Sequence, residues 1–112
     1  MQRVNQFDIE FRNRKSGAKY MFRGPFIDWG VLTLLPGETL GGHYHEEVEE
    51  TFYFPHGTPR MIINGEEIRI RPGDAVRLDP QDSHDIVNDT DEEVTCVFIK
   101  HVYKPDDKVN LD

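Results

Sequence analysis

Asn64-Gly65 separates two short runs of β-forming residues, Arg60–Ile63 and Glu66–Ile70. Asn-Gly between such runs is the strongest short hairpin signal, because both central residues of a type I′ turn need positive φ. The pattern repeats along the chain. Pro36-Gly37, His56-Gly57, Pro72-Gly73 and Asp79-Pro80 close or open further runs. Turn signals recur about every eight to twelve residues, the spacing of an antiparallel sandwich or barrel. Strands are predicted over Phe7–Phe11, Trp29–Leu35, Thr51–Pro55, Arg60–Ile63, Glu66–Ile70, Ala75–Leu78, Ser83–Val87 and Glu93–Val102, with almost no helical periodicity. The tail, residues 103–112, is polar and is expected to be loose.

The chain has 112 residues, which favours one domain with a core of its own. Its single cysteine, Cys96, excludes a disulfide framework and a cysteine-based zinc site. No apolar run is long enough for a membrane span, and the opening residues lack the apolar core of a signal peptide, so a cytoplasmic location is expected. Thirteen basic residues stand against 21 acidic ones, a net charge of −8. Nucleic acid and anionic membrane surfaces demand a positive face, so neither is expected as a partner. Arg12, Arg14, Lys15, Lys19 and Arg23 crowd the N-terminal part, whereas residues 24–59 hold six acids and no Lys or Arg. A solvated acidic face accounts for that asymmetry, and so does a bound cation.

The acidic stretch contains His43-Tyr44-His45, then Glu46, Glu47, Glu49 and Glu50, then Phe52-Tyr53-Phe54. On a strand, His43 and His45 point to one face, about 7 Å apart, and can reach one ion. Alone, such a pair is weak support for a metal site. On the following strand Glu50, Phe52 and Phe54 share a face by alternation, and the phenylalanines mark it as interior. Glu50 is thereby the ligand candidate, and Glu46, Glu47 and Glu49 are assigned to water. His84, at the start of a later strand, is placed to return beside the histidine pair.

Together these residues resemble the two motifs of the cupin superfamily. Gly37 to Gly57 fills every fixed position of the first, G-x5-H-x-H-x4-E-x6-G. Gly73 to Asn88 is similar to the second, G-x5-P-x-G-x2-H-x3-N, with Asp79 where Pro is usual and Gln81 where Gly is usual. The resemblance covers roughly residues 29–100. It implies an all-β double-stranded β-helix, or jelly-roll barrel. Its conserved core would span about residues 29–102 of a single domain 1–112, with an N-terminal strand region over 1–28. It also implies one divalent transition metal ion (Fe, Mn, Ni, Zn or Cu) held by His43, His45, Glu50 and His84.

Candidates to line the pocket are Phe52, Phe54, Cys96, Phe98, Tyr20 and Trp29; an inert buried role is the commoner state for Cys96. His56 and His101 read as surface residues. Three imidazoles and one carboxylate leave positions open on an octahedral ion, which suits a metal-dependent enzyme acting on a small oxygenated molecule. Dioxygenase-like chemistry stands slightly ahead of isomerase or decarboxylase chemistry, because the ligand set resembles that of dioxygenase cupins. A non-catalytic module that binds a sugar or carboxylic acid is the alternative, and a purely structural metal ranks third. A homodimer is expected, with Phe7–Phe11 extending a partner's sheet.

Overall fold

The structure is a computed structural model and describes residues 1–111. Ten strands follow one another: β1 Gly17–Arg23, β2 Asp28–Leu34, β3 His43–His45, β4 Glu50–Tyr53, β5 Arg60–Ile63, β6 Glu66–Arg69, β7 Ala75–Leu78, β8 His84–Val87, β9 Val94–Lys100 and β10 Lys108–Asn110. They form two five-stranded antiparallel sheets, ordered β1-β2-β9-β4-β7 and β10-β3-β8-β5-β6.

The core follows from alternation. Leu32, Leu34, Phe52, Leu78, Val94, Cys96 and Phe98 come from the first sheet, Met61 and Ile86 from the second, and these residues form one buried cluster with Phe54 and Ile70. In β9 the row Val94, Cys96, Phe98 is buried while Ile99 is exposed, the period-2 signature of a half-buried strand. The hairpin expected at Asn64-Gly65 pairs β5 with β6, and both turn residues take positive φ, 50° and 84°. Gly30 is required by a close approach: a Cβ there would sit 2.1 Å from the Lys19 carbonyl oxygen, where β1 crowds β2 at the register shift between Tyr20 and Phe22.

Three expectations are corrected. Phe7–Phe11 is no strand: Gln6–Asp8 form a 3-10 turn, with the Asn5 side chain accepting from the Phe7 N–H. Phe7 is left 85% exposed, so the alternation of Phe7, Ile9 and Phe11 marks no buried face, and no strand stands there to extend a partner's sheet. Residues 17–23 form β1 instead. Its lysine, Lys19, is buried, donates to the Gln6 and Ile9 carbonyls and sits 3.8 Å over the Phe11 ring. The tail is not loose along its length, because β10 pairs with β3 through Lys108↔His45, Val109↔Tyr44 and Asn110↔His43.

Asn88, at the end of the second motif, closes the fold beneath the site. It is fully buried, donates to the Leu34 and Glu92 carbonyls and accepts from Thr90. Asn88→Ala removes the side-chain donor to the buried Leu34 carbonyl and the acceptor of the Thr90 N–H and hydroxyl, and a stability loss of about 2 kcal/mol is expected. Urea unfolding monitored by Trp29 fluorescence measures it; a loss below about 0.5 kcal/mol, the level of ordinary surface substitutions, contradicts the role.

Candidate metal centre and its cavity

The three histidines and Glu50 come from three strands of both sheets. β3 carries His43 and His45, and β8 brings His84 directly opposite His43. Glu50 begins β4, facing Lys100 of β9 and Leu78 of β7. All four side chains are buried, and one candidate ligand atom from each lies within 4.8 Å of the others. The ring centroids of His43 and His84 are 4.3 Å apart, and those of His43 and His45 are 5.3 Å apart.

Backbone carbonyls orient two of the rings. His43 Nδ1–H donates to the Gly41 oxygen at 2.9 Å and His84 Nδ1–H to the Asp82 oxygen at 3.0 Å. This fixes the tautomer and leaves each Nε2 lone pair free for the cluster. His84 Nε2 is 3.3 Å from Glu50 Oε1, yet it is buried and makes no hydrogen bond. His45 Nε2 lies 3.1 Å from the same oxygen. Burial pushes His43 down to about 4, so its imidazole is neutral at pH 7. Burial alone would raise Glu50; the hydrogen bond and charge of His45, with the adjacent His84 ring and Lys100 beyond, overcome this and hold the carboxyl at about 2. His43 and Glu50 are therefore already deprotonated at neutral pH, as metal ligation requires.

The loop between His45 and Glu50 is held from outside by the tail. The Asp107 carboxylate accepts from the Glu47 and Val48 N–H groups at 3.0–3.1 Å, and its Oδ2 stands 4.0 Å from His45 Nδ1. His101 contributes as well: its Nδ1 accepts from the Glu49 N–H, and its own N–H donates to the Glu49 carbonyl. His101 is exposed, as expected, but it braces this loop. Glu46 and Glu47 are exposed and the Glu49 side chain is 41% exposed, whereas Glu50 is 4% exposed.

Gln81, where the second motif has Gly, adopts φ +73° and donates its N–H to the His45 carbonyl. The left-handed turn is thus kept without glycine, at some cost in strain.

A cavity of about 70 Å³ opens over the centre, lined by His43, His45, Glu50, Phe52, Phe98 and Tyr20, with Ala18, Leu32 and Leu40. Of the expected lining residues, Tyr20, Phe52 and Phe98 are present. Phe54 and Cys96 lie in the core instead, and half-buried Trp29 packs near Phe22, outside the lining. Burial and the nearby Glu50 charge raise the Cys96 thiol, so no thiolate nucleophile is available there. Among the lining residues that escape the sequence reading, three are charged: Arg12, Lys100 and Lys108. They come from the N-terminal segment, β9 and β10, and no local pattern joins them.

The Cupin domain family profile matches residues 30–100, and the chain belongs to the cupin family. Among curated relatives, the chain is 36% identical over 70 residues to "Oxalate-binding protein" of Thermotoga maritima, covering 61% of this chain and 58% of that protein. The whole chain superposes on a protein with a double-stranded β-helix domain from Klebsiella pneumoniae, with TM-score 0.83, 16% identity and 99% of that chain covered. An oxalate oxidase in complex with the substrate analogue glycolate matches 76% of this chain and 46% of its own, with TM-score 0.68 and 18% identity. These structural likenesses show the double-stranded β-helix fold. The described residues include no helix long and apolar enough to cross a membrane.

Proposed function

We propose that His43, His45, Glu50 and His84 hold one divalent transition metal ion, and that the chain is a metal-dependent enzyme acting on a small oxygenated organic molecule. One observation carries the reading. Four buried donors converge within 4.8 Å, and His84 Nε2 has no hydrogen-bond partner. A buried imidazole nitrogen without a partner is costly, and a cation answers it. The donor set of imidazole and carboxylate fits Fe, Mn, Ni, Zn or Cu. Bound there, the ion supplies Lewis-acid stabilisation of negative charge developing on a substrate oxygen.

The chain's own residues do the rest. The carbonyls of Gly41 and Asp82 hold the rings of His43 and His84 in place, and Phe52, Phe98, Leu32 and Leu40 keep water from the substrate. Exclusion of water strengthens every charge interaction in the cavity. Dioxygenase-like chemistry is favoured over isomerase or decarboxylase chemistry. In support stands the likeness of the fold to an oxalate oxidase.

Protein purified without added metal and then reconstituted with each of the five ions is expected to retain about one ion per chain. His84→Ala is expected to lose it. Failure of the wild-type protein to retain any of the five sinks the reading.

A second reading, a non-catalytic module for a small carboxylic acid, is favoured by the likeness to the oxalate-binding protein of Thermotoga maritima. Ligand-dependent thermal stabilisation of the metal-loaded protein with no product formed would select it.

A further inference from the structure

Three cations converge on the cavity although the chain carries a net charge of −8. Lys100, at the end of β9, donates from Nζ to the Tyr20 hydroxyl at 2.9 Å and lies 5.2 Å and 5.7 Å from the ring centroids of Tyr20 and Phe98. The ammonium is therefore held at a defined place in the cavity wall. Lys108 stands opposite His45 across the β10–β3 pair. Arg12 is carried in by the turn before β1, with its N–H on the Ala18 carbonyl. Among the described residues, the Arg12 and Lys108 side chains make no hydrogen bond or ion pair.

Among the described residues, Glu50 is the one carboxylate that lines the cavity. Three cations against it leave the cavity wall at +2. Balancing Glu50 does not require three cations, and once Glu50 also faces a divalent ion the surplus grows. Arg12 and Lys108 are exposed at the mouth and Lys100 is half-buried in the wall; like charges gathered at one opening repel, and an anion seated among them relieves that repulsion.

We propose that Arg12, Lys100 and Lys108 form a carboxylate-binding subsite, so that the chain takes a short mono- or dicarboxylate rather than a neutral polyol or a sugar. This rests on the metal reading for one end of the ligand: its oxygen atoms meet the metal centre, and its free negative group meets the cations. Size agrees. The cavity of about 70 Å³ has room for about five to seven water-sized groups, at roughly 10–15 Å³ each, which is the scale of a two- to four-carbon acid. Charge-assisted hydrogen bonds to Lys and Arg, in a cavity walled by Phe52, Phe98 and Leu32, would distinguish that acid from a neutral molecule of equal shape.

The test is calorimetric titration of metal-loaded and metal-free protein with malonate and succinate, against the shape-matched neutral malonamide and succinamide. Metal content is measured on every sample. Wild-type protein is expected to bind at least one acid about tenfold or more tightly than its diamide, with affinity falling as salt is raised. Arg12→Gln and Lys108→Gln each remove a charge from the cavity mouth rather than the core. Each is expected to keep the metal content and to weaken the acid about tenfold while leaving the diamide unchanged. Lys100→Met, which also loses the Tyr20 contact, is expected to do the same, with thermal melting to show that it folds.

If metal is retained but acid and diamide bind alike, neither acid binds at millimolar concentration, or the Arg12 and Lys108 variants bind like wild type, the subsite is overturned and the metal centre stands. If wild-type protein retains no metal, the metal reading fails. The metal-free titrations then decide the subsite by themselves: acid binding lost in Lys108→Gln supports it, and none overturns it.

Discussion

Glu50→Gln abolishes tight metal binding, with affinity expected to fall by at least about 100-fold, while Glu49→Gln changes it by no more than about twofold. The two residues are adjacent, share one chemistry and lie in the same acidic stretch. Alternation separates them. Glu50 is 4% exposed, with Oε1 3.1 Å from His45 Nε2 and 3.3 Å from His84 Nε2. The Glu49 side chain is 41% exposed and stands 3.7 Å from the Arg77 guanidinium. An exposed pair of that kind contributes about 0–1 kcal/mol and nothing to the centre. Gln keeps the volume of Glu50 but removes the only negative charge among the four donors, so the loss reads charge rather than shape. Competition against a chromophoric chelator measures both constants. Equal effects of the two substitutions would place both carboxylates in one environment and contradict the register of β4.

The metal-free protein should report the same carboxylate through pH. The Glu50 carboxyl is held at about 2, below its ordinary value of 4.5. A depressed carboxyl contributes stability that is fully present above the unfolded value and is lost as pH falls towards the folded one. His43, held near 4 against 6.5, acts in the same direction: between those values the unfolded chain takes up a proton that the buried imidazole refuses. Both effects weaken the metal-free protein as it is acidified, first through His43 below about pH 6.5 and then through Glu50 below about pH 4.5.

How much of this was legible in the sequence depended on whether the information was local. The hairpin at Asn64-Gly65 and the interior face of Glu50, Phe52 and Phe54 follow from turn chemistry and period-2 alternation, which act over a few residues. The gathering of His43, His45, Glu50 and His84 was suggested by two motifs of known spacing, and the antiparallel β3–β8 pair realises it. What stayed hidden was long-range. Lys100 looks like the polar end of a strand, Arg12 like one of a basic crowd and Lys108 like part of a polar tail. Only the packing of β9, β10 and the N-terminal turn around one opening makes them a group. The misreading of Phe7–Phe11 has the opposite cause. The alternation is present, but no neighbouring strand pairs with it, and the Asn5 cap bends Gln6–Asp8 into a 3-10 turn. In β1 the buried Lys19 and the register shift at Tyr20 and Phe22 blur the pattern that would have revealed a strand.

The tail provides the second large effect. Asp107→Ala is expected to cost about 3–4 kcal/mol of stability and, separately, to weaken metal binding by about 10-fold or more. The carboxylate is 5% exposed and accepts from two backbone N–H groups of the loop that joins His45 to Glu50. Removing it leaves the buried Val48 N–H, and the half-enclosed Glu47 N–H, without their charged acceptor. It also removes the negative charge 4.0 Å from His45 Nδ1, which favours the orientation and basicity that ligation through Nε2 needs. Asp107→Asn separates the two contributions. Its carbonyl oxygen can still accept from the loop, so most of the stability should return, while the charge facing His45 does not, so metal affinity should stay low. Urea unfolding of the metal-free protein measures the first quantity and chelator competition the second. If Asp107→Asn restored both together, or Asp107→Ala lost stability with metal affinity intact, the tail would be bracing the loop without tuning His45.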